Sequence, residues 1–176
     1  MIVSASKLYN MEMCPELDEV ISLLNTDLSD YYDIKICEES RGKGRELVSP
    51  KSLNVGYDNV FKKQGYSKFR PFGDSNCEID FFKNGVGVEI QFGKYAFVIY
   101  DIFAKFRPCY FNNVLKFGVE VIPTKTLLGS MSTGPANFEM EVNKLNRSNV
   151  DFPLAVLGVD LTVESKSTDL THTLDV

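Results

Sequence analysis

Two apolar runs, CEIDFF (77–82) and GVGVEIQF (85–92), meet at Asn84-Gly85. Asn-Gly between such runs is a strong hairpin signal, because both residues accept the positive φ of a tight two-residue turn. Side chains alternate faces along a strand. Glu89 and Gln91 therefore share one side while Ile90 turns into the core, and Glu78 and Asp80 share a side of the partner strand. A chain with this segment must fold around a sheet whose otherwise apolar strands carry acids. The antiparallel pairing brings Asp80 toward Glu89, with the register deciding how closely.

The flanking pattern predicts helices on both sides of that hairpin. PELDEVISLLNTDL (15–28) opens with proline and early acids, and Leu17, Val20, Ile21 and Leu24 fall on one helical face. Residues 31–37 read as a strand and 40–50 as a glycine-punctuated loop. A helix is expected from Pro50, with Ser49 as its N-cap, to about Gln64. A polar, aromatic loop follows. KYAFVIYDIFAKF (94–106) reads as a buried helix halted near Pro108. Residues 117–123 and 153–161 read as strands, 124–135 as a loop and 136–147 as a helix. The order α-β-α-ββ-α-β-α-β points to the α/β class: a single domain with a central mixed β-sheet flanked by helices. It divides into a helical, basic part (1–75), a catalytic sheet with helices (76–161) and a polar tail (162–176).

Several function classes fall away on composition. The one histidine, His172, lies in the polar tail, which argues against a His-based triad or His-ligated metal. Cys14, Cys37, Cys77 and Cys109 are scattered without a CxxC pair, which argues against structural zinc and for reduced thiols. No signal-peptide stretch and no apolar run of roughly 20 residues is present. The expectation is a cytoplasmic chain without membrane attachment.

The remaining chemistry is that of hard oxygen ligands. Asp80, Glu89 and the backbone carbonyl of Ile90 form a set suited to Mg²⁺, which binds protein through one or two carboxylates and keeps several waters. An ion held there can activate water against a phosphodiester and stabilise the developing charge, with Glu89 or Gln91 orienting the nucleophile. The bland alternative is that Asp80 and Glu89 are polar residues on a solvated sheet face, since a D-x8-E-x-Q spacing is short.

The net charge of −5 argues against a nucleic-acid partner, but its distribution does not. Residues 41–70 hold eight Lys and Arg against two acids. A concentrated basic stretch neutralises phosphates locally because salt screens distant charge. Arg41, Lys43 and Arg45 are spaced by glycine, with Lys62 and Lys63 further on. A second surface is the hydroxyl-rich loop around Ser132 and Thr133, suited to hydrogen-bonding base edges. Asn59, on the preceding helix, is a candidate to orient the attacking water.

The run EIDFFKNGVGVEIQFGKYAFVIYDIFAK (78–105) resembles the active-site region of the BglII and BstYI type II restriction endonucleases, members of the PD-(D/E)xK nuclease superfamily with Gln in the usual lysine place. The likeness extends through GVEVIPTKTLLGSMSTG to PLAVLGVDL. It implies a restriction-endonuclease-like fold, with Asp80 as the first acid, Glu89 as the second and Gln91 in the lysine place. It further implies Mg²⁺, with Mn²⁺ able to substitute, double-stranded DNA as substrate, and a homodimer cutting a short palindromic site. Lys94 is then either a substitute for the missing lysine or a DNA contact at the start of a helix. Other readings stay open: a superfamily nuclease of repair or DNA degradation, or an inactive DNA-binding or dimerisation domain.

Overall fold

The apolar runs condense into one six-stranded sheet and a small two-stranded one. The computed structural model describes residues 1–31, 33–38, 43–73, 77–93, 97–131 and 136–161. In chain order the elements are β1 (Ile2–Tyr9), α1 (Pro15–Leu24), β2 (Ile34–Ile36), β3 (Glu46–Val48), α2 (Pro50–Lys63), β4 (Ser67–Phe69), β5 (Ile79–Lys83) and β6 (Val86–Ile90). There follow α3 (Phe97–Tyr100), a π-helical stretch (Asp101–Phe106), α4 (Arg107–Phe111), β7 (Phe117–Pro123), α5 (Lys125–Leu128), α6 (Phe138–Leu145) and β8 (Leu154–Asp160).

The large sheet has the order β1-β8-β7-β6-β5-β4. Its centre, β6-β7-β8, is parallel, and β1, β5 and β4 pair antiparallel at the flanks. A mixed sheet between helices is the expected architecture. Asn84 and Gly85 adopt φ of 53° and 86°, closing the expected hairpin with Lys83 opposite Val86. Every residue of β6 and β7 is buried, as strands covered on both faces must be.

Two apolar layers sandwich the sheet. Val86, Val88, Ile90, Val119 and Val121 pack with Leu17, Val20 and Leu24 of α1 and Leu53, Tyr57 and Phe61 of α2. On the other face Ile79, Ile122, Leu154 and Val156 pack with Val98, Ile102, Phe106 and Leu145. Among the described residues, no helix is long and apolar enough to cross a membrane.

Several elements depart from expectation. Residues 2–9 form an edge strand that the sequence did not announce; no residue in it is fully buried, and its partner β8 is distant in the chain. The expected loop 40–50 contains β3, which pairs with β2 as a separate ribbon, Ile34 opposite Val48. The polar aromatic loop contains β4, and the 124–135 loop contains α5, capped by the Thr124 hydroxyl accepting from the Leu127 N–H. The α1 helix stops at Leu24 rather than Leu28. Ser49 does precede α2, but its side chain makes no capping hydrogen bond. Pro108 does not halt the central helix, which runs on to Phe111. The wider turns of the π-helical stretch give the proline ring room beside the carbonyl of Ala104, where a regular α-helix would clash.

Candidate active site

Gly87 pairs with Gly118 and Glu89 with Glu120 across the parallel strands β6 and β7. The intervening valines face α1 and α2, so both glycines and both glutamates face the opposite layer, under the π-helical stretch. The glycines set how close that stretch comes. A Cβ on Gly118 would lie 2.5 Å from Cδ2 of Phe106, and one on Gly87 would lie 2.7 Å from Leu115 and 3.2 Å from Phe106. The Phe106 ring thus rests on bare backbone, and its neighbour Lys105 reaches over the glutamates.

There the charges converge. Lys105 Nζ lies 2.8 Å from Glu89 Oε1 and 2.6 Å from Asp101 Oδ1. Gln91 Nε2 donates to Asp101 Oδ2 at 3.3 Å. Glu89, Asp101 and Glu120 are 3%, 1% and 0% exposed. Both oxygens of Glu120 lack a hydrogen-bond partner among the described residues.

Asp80 lies one residue beyond the last regular β5-β6 pair, Phe81 with Val88, at the level of Glu89. Ile79 and Phe81 pack into opposite layers although two residues apart, so strand alternation is interrupted at Asp80. The residue is half-buried and within electrostatic reach of Glu89, Asp101 and Glu120.

This crowding raises carboxyl pKa values. Burial, then Asp80 and Asp101, push Glu89 well above the usual carboxylate range, against the opposing pull of Lys105. Burial also raises Asp101, opposed by its bond to Lys105. Glu120 is held well above its ordinary value by burial and by Asp101 and Glu89. For Lys105, burial alone would lower the value, but Glu89 and Asp101 together raise it. Asp101, Lys105 and Glu120 were not picked out from the sequence. A signal existed: Gly-Val-Glu occurs at 87–89 and again at 118–120, each time inside an apolar strand.

The structure thus gathers Asp80, Glu89 and Gln91, with Ile90 buried between the latter two in the opposite layer. It does not gather Asn59. That amide donates to the Val55 carbonyl of its own helix at 3.0 Å, and α2 covers the sheet face away from Glu89. Glu78 does not join Asp80 either; it is bound by Lys68 at 2.6 Å and Arg70 at 2.7 Å.

The basic stretch is not one track. Lys43 and Arg45 are exposed beside the β2-β3 ribbon, whereas Lys62 and Lys63 end α2, a 14-residue helix that begins next to that ribbon. Lys62 pairs with Asp58 at 2.6 Å. Val48 at the end of β3 bridges Met131, and its N–H donates to the Ser130 carbonyl at 2.8 Å. The ribbon and the 130–131 segment are therefore neighbours. Arg41, Lys94, Ser132 and Thr133 lie outside the described residues.

The model of the restriction endonuclease BglII/BglIII family matches residues 3–159. The chain belongs to this family. As a BglII/BglIII family member it is a type II site-specific deoxyribonuclease. Two solved structures share the fold. One is a crystal structure of restriction endonuclease BglII complexed with a DNA 16-mer, with TM-score 0.71, 19% identity, and 92% of this chain and 79% of that chain covered. The other is free BglII, with TM-score 0.63, 20% identity, and 92% and 81% covered. No curated protein matches the sequence.

Proposed function

We propose that this BglII/BglIII family member hydrolyses both strands of DNA at a short palindromic site as a Mg²⁺-dependent homodimer acting in the cytoplasm, Mn²⁺ being able to substitute. The observation that carries the reading is the convergence of Asp80 and Glu89 at the broken end of the β5-β6 pairing. The donor chemistry suits a hard divalent cation: the groups brought together are carboxylates, and the oxygens of Glu120 have no hydrogen-bond partner among the described residues.

Asp80, Glu89 and the Ile90 carbonyl would hold the ion. When bound, it supplies positive charge for the phosphate oxygens and a water of lowered pKa. Gln91 keeps its amide fixed through Asp101, which suits it to orient that water. Depth matters too: with Glu89 and Glu120 buried, little bulk water screens charge at the reacting phosphate.

Lys43 and Arg45 on the ribbon, with Arg41, and Ser132 and Thr133 beyond Met131 are the proposed DNA contacts. The bridge from Val48 to Met131 supports grouping them. Lys94 is proposed as a further DNA contact, and Lys62 and Lys63 as phosphate contacts at the far end of α2. A two-fold protein reads a two-fold sequence, hence the dimer and the palindrome.

Incubating a plasmid of known sequence with the protein in Mg²⁺, in Mn²⁺ and in EDTA, followed by end-mapping, tests this. Discrete fragments ending at one recurring palindrome, with no products in EDTA, are expected. Random degradation, or cutting that persists in EDTA, would overturn the proposal.

A further inference from the structure

The proposed metal site already contains a cation. The Lys105 ammonium, on a side chain only 13% exposed, bridges Glu89 at 2.8 Å and Asp101 at 2.6 Å. We propose that Lys105 is the resident counter-cation of this acidic cluster: it holds Glu89 and Asp101 together in the metal-free protein and must release Glu89 when a divalent ion enters. The inference rests on the reading of Asp80 and Glu89 as metal ligands. It makes Lys105 a positioning residue.

Charge balance is the first reason. Asp80, Glu89, Asp101 and Glu120 lie within electrostatic reach of one another, and among the described residues Lys105 acts on both Glu89 and Glu120. Without a positive charge such a cluster would repel itself apart or bind protons. Ligand geometry is the second. Among the described residues, no group of three or more acidic, Cys or His side chains is arranged to hold a metal ion. The ammonium accounts for this, because Glu89 and Asp101 are drawn onto Nζ instead of toward a common point with Asp80.

Exchange is also mechanically available. The backbone at Lys105 is pinned, since Phe106 is seated on Gly87 and Gly118. The four-carbon lysine stem has the rotatable bonds to swing the ammonium about that fixed point. The ring of Tyr100, itself 41% exposed, already lies 5.8 Å from Nζ and would keep a favourable contact for the ammonium once Glu89 is given up. An ammonium and a divalent ion on the same carboxylate repel each other, which favours departure of the ammonium as the ion enters.

Two measurements on the full chain without DNA test the proposal. Mn²⁺ titrations followed by the resonance of the free ion would compare wild type, Lys105→Met and Lys105→Arg. The Met variant should bind Mn²⁺ at least about fivefold more tightly, having no cation to displace, and the Arg variant should keep wild-type affinity. In the wild type, acylation with acetic anhydride mapped by mass spectrometry should find Lys105 protected in EDTA and several-fold more reactive in saturating Mn²⁺. This second readout decides the matter if the Met variant does not fold. Equal or weaker Mn²⁺ binding by Lys105→Met, or labelling of Lys105 indifferent to metal, would overturn its role while leaving the metal site standing. A wild type that binds no Mn²⁺ would overturn the metal site and this inference together.

Discussion

Glu120 is fully buried, and neither of its oxygens has a hydrogen-bond partner among the described residues, so its ionisation opposes folding. Its carboxyl is raised well above the ordinary value by burial first and by Asp101 and Glu89 next. The native chain therefore keeps this proton to higher pH than the unfolded chain does. The associated stability is complete below the ordinary carboxylate range and is lost as pH rises through the raised value. Glu120→Gln removes the ionisable group at nearly constant volume. In EDTA, this variant should melt above wild type at pH 8, by at least about 2 °C, with the gap narrowing toward pH 5. A gap that does not change with pH would contradict the account of Glu120. The hairpin residues were legible in the sequence because strand alternation fixes which of Glu89, Ile90 and Gln91 share a face. Glu120 was not, because an apolar run reads as core throughout and only the repeat of Gly-Val-Glu at 118–120 marked its acid. Asp101 and Lys105 sit at i and i+4, a helical spacing usually read as a surface pair; here the π-helical stretch turns both inward.

At the scale of elements, the docking of the π-helical stretch on β6 and β7 is what brings the Lys105 ammonium to the glutamates. Gly118→Ala would place a methyl group 2.5–2.7 Å from the Phe106 ring, on a strand buried at every position. Overpacking of this kind costs about 1–3 kcal/mol. Denaturant titration should show that loss, and the Mn²⁺ affinity should change as well, because the lysine backbone is displaced with the ring. Wild-type stability in Gly118→Ala would show that the contact is looser than the structure has it. The central hairpin, β7, β8, α1 and α2 could be anticipated from local periodicity and turn chemistry. Strands β3 and β4 are three residues long, too short for a pattern, and depend on partners elsewhere in the chain. β1 depends on β8, about 150 residues away, and the π-helical stretch on two glycines in other elements. Such features are set by tertiary packing.

Across the whole molecule an acidic chain of net charge −5 has to meet a polyanion. Part of its basic stretch is paired with acids, Lys62 with Asp58 and both Lys68 and Arg70 with Glu78, while Lys51 and Lys63 are exposed on α2 and Lys43 and Arg45 on the ribbon beside Met131. The family fixes the class of reaction, and the acids at the end of β5 and in β6 are where it is proposed to occur. The most direct measurement compares wild type and Asp80→Ala on a duplex carrying the mapped site, with cleavage rates taken in Mg²⁺ and duplex binding in Ca²⁺. Loss of cleavage by at least about a hundredfold with binding retained is the expected result. Cleavage by Asp80→Ala at the wild-type rate would contradict the assignment of Asp80 and Glu89 as the pair that holds the ion.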